Sequence, residues 1–452
     1  EDGSDDEYAL RSFFGRLTYD YDNRYLVEAN IRRDGTSRIF KDSRWGVFPS
    51  FSGAWRIINE PFMEGTRNVL SDLKLRGGWG VLGNQAISYY SYQSVLDQAN
   101  YSFGGTVVQG VAPVDGANRD LIWETTETLN FGLDMGFLGN QYTLSIEGYR
   151  KLTYDILMKL PVSTLYGLNA PYQNAGKVKN TGLEITACYK LNTHGWNFQV
   201  SANAAYNKNE VMDLKNGGAR IWSGKYFNQE GYAINSIGGY IAEGLFKTEE
   251  EVANSATIPG TDTAPGDIKY RDINNDGKID GEDRVYIGNT MPKWTFGLNL
   301  FAEWKGLDAT FLFQGAADVQ GYLAGPGVVG EMIGAKGKPS YMYRDCWDAE
   351  TNPNGKFPRA FSSYRQNNSI YNPSSFWIVN SSYLRLKNFQ LGYTLPKEWC
   401  NMMGISRIRV YYSGQNLLTF TKFDKGFDPE SPEGGSSYPQ VKTNTFGLNI
   451  TF

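Results

Sequence analysis

The sequence predicts an all-β fold: the C-terminal portion of a transmembrane antiparallel β-barrel, about 13 strands of it, carrying long external loops. Three observations predict it. Segments of about ten residues alternate apolar and polar side chains with period two. Aromatic residues sit at or near the ends of the apolar stripes. Connections alternate between tight turns and loops of twenty residues or more.

The strand segments follow in order at 12–21, 25–33, 45–57, 72–83, 124–137, 141–154, 176–190, 196–209, 292–304, 307–317, 383–394, 406–414 and 440–452. The eighth shows the pattern plainly. Trp196, Phe198, Val200, Ala202, Ala204 and Tyr206 lie on one face, and Asn197, Gln199, Ser201 and Asn203 on the other. In 383–394 the apolar parity switches from Leu384 and Leu386 to Phe389, Leu391 and Tyr393, which predicts a β-bulge at Lys387. Tight turns are expected at Asp22–Arg24, Leu138–Asn140, Leu191–Gly195 and Lys305–Gly306, and long loops at 84–123, 155–175, 210–291, 318–382 and 415–439. Thirteen strands with one open side would leave unpaired backbone in lipid, where each group costs several kcal/mol. The expectation is therefore that further strands of the same barrel precede Glu1, and that the chain starts inside a longer precursor.

Composition limits function. The 452 residues include 30 Tyr, 25 Phe, 11 Trp and 51 Gly, a strand-and-turn composition. No apolar run is long enough for a membrane helix, whereas a spanning strand shows lipid only every second residue and is polar on average. A net charge of −4 is no footprint for nucleic acid. One histidine, His194, and three scattered cysteines leave no multi-His zinc site, no Cys-rich zinc site and no disulfide framework. Glu124 and Glu127 are a conceivable carboxylate pair, but a solvated barrel wall explains them as well. Glu127, Asn130, Asp134, Asn203 and Asn299 are expected to line the interior. No enzyme activity is expected.

Three groups of candidate site residues remain. Asp272, Asn274, Asp276, Lys278, Asp280 and Asp283 fit the spacing of a calcium-binding loop, with Gly277 at the sharp turn and Asp280 acting through water. Position twelve is Asp283 rather than Glu, which puts bidentate closure in doubt. The other reading is a turn held by Asx hydrogen bonds. Tyr89, Tyr90, Tyr92 and Tyr101 in one long loop, and Trp347 in another beside Tyr341, Tyr343, Tyr364 and Tyr371, are candidates to stack on a substrate. Loop packing is the alternative. Phe446, Gly447, Ile450 and the terminal Phe452 form a candidate assembly signal.

Several ordered blocks resemble one family, the SusC/RagA-type TonB-dependent transporters of Bacteroidetes outer membranes. They include Tyr25 to Arg38, Val47 to Ser52, Leu73 to Gly77, Gly83-Asn84-Gln85, Trp123 to Thr126, Asn174-Ala175-Gly176, Asn180 to Glu184, Asp272 to Gly288 and Leu384 to Asn388. Ile39-Phe40 departs from the Phe-Gly expected after Ser37-Arg38. The resemblance implies a 22-stranded barrel, of which this chain covers roughly strands 10 to 22. It implies location in the bacterial outer membrane and import of a bulky nutrient, a glycan or oligopeptide. The implied partners are a SusD-like surface lipoprotein, the plug and remaining strands of the same barrel, the TonB complex reached through the missing N-terminal part, and the lipid bilayer. The alternatives are a siderophore or cobalamin transporter of the wider class, and a secreted calcium-dependent β-sheet protein that binds or hydrolyses glycans.

Overall fold

The computed structural model describes residues 5–323, 342, 344–360, 372–423, 427–431, 438 and 440–452. Tyr341, Tyr343, Tyr364 and Tyr371 lie outside them. Thirteen strands form one antiparallel sheet in strict chain order: β1 (Leu10–Tyr21), β2 (Tyr25–Thr36), β3 (Trp45–Arg56), β4 (Leu70–Asn84), β5 (Glu124–Phe137), β6 (Tyr142–Tyr154), β7 (Lys177–Thr193), β8 (Trp196–Asp213), β9 (Trp294–Trp304), β10 (Leu307–Ala317), β11 (Tyr383–Thr394), β12 (Arg407–Thr421) and β13 (Thr443–Thr451). Every strand predicted from periodicity is present. The differences lie at the ends: β8 runs to Asp213 and β12 to Thr421, and β7 continues to Thr193, so its turn shrinks to His194-Gly195. Both turn residues have positive φ, +47° and +81°, the type I′ geometry that matches strand twist.

By contact density the chain divides into two compact units, residues 1–188 with 207–221 and 229–234, and the remainder. In the first, Tyr25 pairs with Trp55 and Gly35 with Trp45 across β2 and β3. Tyr25 stacks on Trp55 at one end and Phe13 on Trp45 at the other. In the second, Trp196 pairs with Trp304 and Tyr206 with Trp294 across β8 and β9, with ring centroids 5.2 Å and 4.9 Å apart. In both units the aromatic ends are separated by ten residues. Ten residues span about 34 Å along a strand, or about 24 Å of height at a ~45° tilt, which matches the apolar band of a membrane barrel.

The bulge falls where the parity switch places it. Leu386 pairs with Phe313 and Asn388 with Leu312, leaving Lys387 out of register, and the β12 ladder skips it too. The extra residue keeps Leu384, Leu386, Phe389, Leu391 and Tyr393 on one face. One expectation is corrected. Glu127 pairs with Val81 and shares the face of Leu129 and Phe131, so it belongs to the apolar face, where its carboxylate accepts the indole N–H of Trp79 at 2.7 Å. Strict alternation places it there too; assigning the face from the polarity of the side chain is what fails.

The polar face is braced by one repeated device. Arg76 on β4 reaches across β5 to Glu147 on β6, and a Cβ at Gly132 between them would lie 2.6 Å from the guanidinium carbon. Arg409 on β12 reaches across Gly392 of β11 to Asp308 of β10, with bonds of 2.9 and 2.5 Å. Tyr149 on β6 lies over Gly182 of β7 and its hydroxyl meets Asn207 of β8 at 3.3 Å. Each glycine leaves the space in which a long side chain can lie flat and reach the second strand.

Among the described residues the largest water-excluded core lies in the long loops of the second unit, not in the sheet. Ile237, Tyr240, Ile268, Tyr270, Ile279, Tyr322 and Trp377 are all buried there. The long loop expected at 210–291 runs from 214 to 293 and builds short strands at Ile221–Ser223, Tyr226–Asn228, Ser236–Gly239, Ala242–Leu245, Ile268–Tyr270 and Val285–Gly288, and a helix, Glu249–Ala253. Burial pushes the phenol of Tyr270 well above its usual range. Ile39, at the departure from the family pattern, is fully buried with Phe48 and Trp123.

Candidate functional site

The polar face and the long loops carry the chemistry. On the face, Asp134 accepts Ser145 Oγ at 2.7 Å and Arg76 Nε at 3.1 Å, and Glu147 accepts Asn130 Nδ2 at 2.8 Å. Beside this lattice a concavity runs from Asp20 and Glu28 to Lys74, Arg76 and Asn130. Its carboxylates are paired with arginine or hydrogen-bonded, which suits a solvated wall rather than acid–base catalysis. Asn299 and Asn203 lie on the polar face of β9 and β8 as expected, opposite Ser201 and Gly297. Glu124 accepts from Asn84 Nδ2 at 3.1 Å and the Leu157 N–H at 3.2 Å, and it stands on the opposite face from Glu127. The two do not form a pair. His194 is an exposed turn residue.

The calcium-like loop is a network of short-range bonds. Asp272 accepts the N–H of Gly277 at 2.8 Å, Asn274 that of Asp276 at 3.1 Å, and Asp276 that of Lys278 at 3.1 Å. Asp283 is fully buried, and its two oxygens accept the N–H groups of Ile273 at 2.7 Å and Asp280 at 2.8 Å. The Lys278 ammonium pairs with Asp280 and lies 3.4 Å from Asp276. That pairing raises the Lys278 pKa, through its hydrogen bond to Asp280 above all, and the same bond lowers that of Asp280. Among the described residues no three His, Cys, Asp or Glu side chains are gathered for a metal. Ile279 anchors the loop in the loop core.

The aromatic candidates separate. Trp347 is 8% exposed, and a Cβ on Gly266 would strike its ring, so it packs between loops rather than facing a substrate. For Trp347 this is the loop-packing reading. The burial depends on a glycine eighty residues away, which composition does not reveal. Tyr92 packs on Phe40, with centroids 5.8 Å apart. Tyr101 stacks near Phe103, both 65% exposed, on a hairpin formed by Leu96–Phe103 and Thr106–Pro113. Tyr89 and Tyr90 line a cleft with Tyr172, Asp115 and Lys159. The Arg38 guanidinium sits 4.6 Å from the Tyr89 ring centre.

A second group was not anticipated. Arg385 is 2% exposed on the polar face of β11. It donates to both oxygens of Asp428, at 2.8 and 3.0 Å, and meets Glu430 at 3.1 Å. Tyr383 donates to Glu430 at 2.7 Å, and Lys387, displaced by the bulge, lies 3.4 Å from it. Ser381 Oγ donates to the Pro429 carbonyl at 2.7 Å. Asp428, Pro429 and Glu430, between β12 and β13, are thereby tied to the wall. Alternation between Leu384 and Leu386 places Arg385 on the polar face but carries no signal of its burial.

At the C-terminus Phe446 meets Tyr412, with centroids 5.3 Å apart, Ile450 pairs with Ile408, and Phe452 is exposed. Gly447 faces Tyr411, whose ring would touch any Cβ placed there. Gly447→Val is expected to lower the yield of assembled barrel at least several-fold, and Tyr411→Ala in the same chain to restore it. Heat-modifiable gel mobility of outer-membrane fractions is the measurement. Equal yields of wild type and Gly447→Val would remove the steric explanation.

The model of the family described as "TonB dependent receptor-like, beta-barrel" matches residues 1–417. The chain is 32% identical over 480 residues to the TonB-dependent receptor SusC of Bacteroides thetaiotaomicron, covering 98% of this chain and 44% of that protein. It is 31% identical over 470 residues to TonB-dependent receptor P3 of Formosa agariphila, covering 99% and 46%. A solved structure of the RagAB peptide transporter superposes with a TM-score of 0.81 at 28% identity, covering 98% of this chain and 48% of that one. The chain spans about half the length of the curated relatives it matches. With this match, the sheet's apolar face is its lipid face, and the reading as a secreted protein falls. The chain belongs to the TonB-dependent receptor family, as an outer-membrane β-barrel of the SusC/RagA type.

Proposed function

We propose that this chain is the C-terminal part of a barrel that imports a bulky nutrient, a glycan or oligopeptide, with energy from TonB and a SusD-like surface lipoprotein over the long loops. The observation that carries the reading is the joint presence of a lattice-braced polar face and a loop region with its own buried core, in a chain similar to SusC and RagA along nearly all its length. The apolar band holds the barrel in the membrane, the polar face receives the plug and passing cargo, and the loops and lid capture the cargo. Residues 1–452 are assigned to the barrel, with 210–291 as an extracellular loop. The test is deletion of the full gene, with growth measured on glycans and on oligopeptides as sole nutrient, beside affinity purification from detergent. Loss of growth on one class and recovery of a surface lipoprotein are expected. Unchanged growth on both, with no lipoprotein recovered, sinks the proposal.

Within that loop we also propose a calcium ion held by Asp272, Asn274, Asp276, the Lys278 carbonyl and, through water, Asp280. Asp283 then serves as the loop's internal pin. The Asx bonds hold the loop in a turn of the right spacing, and the Lys278 ammonium is the built-in competitor for the carboxylates. Lys278→Ala is expected to tighten calcium binding about tenfold, and Asp272→Ala to abolish it, read by terbium luminescence with calcium competition. Absence of binding in both the parent and Lys278→Ala leaves the loop as a turn.

A further inference from the structure

The turn joining β11 to β12 carries a short helix, Lys397–Met402, whose apolar side is left uncovered. Pro396 stands just before it, where a missing N–H costs nothing. Gly404, at φ +68°, ends it. The Gly404 N–H donates to the Asn401 carbonyl and that of Ile405 to the Cys400 carbonyl, both at 3.1 Å, which is the Schellman pattern. Cys400 is fully buried and seats the helix on the turn. At about 100° per residue, Trp399, Met402 and Met403 fall on one arc, and Lys397 and Asn401 on the opposite one. The three apolar side chains are 55%, 80% and 52% exposed in that order. A helix on a water-covered turn would hold such an arc against the protein and show its polar side outward.

We propose that this helix is an interfacial anchor. It lies in the headgroup boundary of the leaflet at the tight-turn end, with Trp399, Met402 and Met403 in the acyl region. Its apolar arc continues the lipid face already described. Trp196, Trp304, Leu307, Tyr393 and Val410 pair in one row across β8 to β12 at that end. Leu395, two residues beyond Tyr393, keeps the same parity, and its N–H donates to the Ile408 carbonyl at 2.9 Å. The helix begins two residues later. The polar face offers such an arc no match. At this end it carries Arg407, bonded to Thr394 Oγ1 at 3.3 Å, and the Arg409–Asp308 pair. A strand added at the free edge of the sheet is no cover either, since β13 stands between that edge and β12. A tryptophan among Lys397, Glu398 and Asn401 is the mixture that the headgroup level accepts.

The experiment uses the full-length protein in phosphatidylcholine nanodiscs, with a nitroxide attached to Met402→Cys, Trp399→Cys or Asn401→Cys. Cys188 is replaced by Ser in all three, Cys346 and Cys400 are buried, and the signal of the protein without a new cysteine is subtracted. The three replaced side chains are exposed, so each variant should keep the heat-modifiable gel mobility of the parent. Power saturation compares collisions with oxygen, which concentrates among acyl chains, and with a water-borne nickel chelate. The oxygen-to-nickel ratio is expected to be about fivefold higher at positions 399 and 402 than at 401. Nickel preference at either 399 or 402 overturns the proposal and leaves the helix in water. Protection from both reagents at those positions overturns it in favour of a protein cover. A ratio at 401 as high as at 402 overturns it as well, since a helix sunk on all sides is not interfacial.

Discussion

Replacing Arg385 with Met should destabilise the tie between the wall and the Phe427–Ser431 segment by about 3–5 kcal/mol, because two carboxylates then lose a buried partner. The guanidinium is 2% exposed and serves Asp428 and Glu430 together, with Thr419 Oγ1 accepting its Nε at 3.0 Å. Removing one partner of a buried ion pair is far more damaging than removing both, since an uncompensated charge remains in a poor solvent. The double variant Arg385→Met with Asp428→Asn should therefore recover part of the loss, with Glu430 still paired to Lys387 and Tyr383. Limited proteolysis of the full-length protein in detergent reads the effect as faster cleavage between β12 and β13. If Arg385→Met is cleaved no faster than wild type, the tie is dispensable. If the double variant is no better than the single one, the two charges are not coupled.

The second large effect concerns the lipid face. Leu300 lies at mid-height between Trp294 and Trp304, paired with Val200 on one side and Phe311 on the other. Arginine there must place its charge at the middle of the hydrocarbon, which costs about 2–4 kcal/mol. Asn299, one residue earlier, points to the polar face between Ser201 and Leu312. Asn299→Arg should cost close to nothing. Denaturant titration of the barrel in detergent or lipid separates the two variants. Similar losses for both would mean that the even and odd positions do not face different solvents.

The strand framework was legible because period two is repeated over ten or more residues in each of thirteen segments, and a slip shows as a parity change. Lys387 is the clearest case: one residue out of phase in sequence became one residue out of both ladders in space. The loops were illegible for the opposite reason. Strands such as Ile221–Ser223 and Tyr226–Asn228 have three residues each, too few to display alternation. Trp347 and Tyr92 looked like candidate platforms because aromatic side chains in polar loops have the same composition whether they stack on a ligand or on one another. Tyr89 and Tyr90 were visible as aromatics, but Asp115, Lys159 and Tyr172, which complete their cleft, come from distant points in the chain. The Arg385 tie was not legible, since a charge between two leucines is the ordinary pattern of an alternating strand and its acidic partners lie more than forty residues away.

The second-neighbour braces over Gly132, Gly182 and Gly392 bear on how such a wall can be assembled. An ordinary ladder reports only whether two adjacent strands match, and sliding one by two residues preserves the in-and-out alternation. A side chain lying across a glycine tests three strands at once. Slide the middle strand by two and a residue with a Cβ arrives beneath the guanidinium or phenol, while the acidic or amide partner moves out of reach. The wall thus carries a proofreading mark against shifted pairing at three places, written in residues that otherwise look like the weakest positions in their strands.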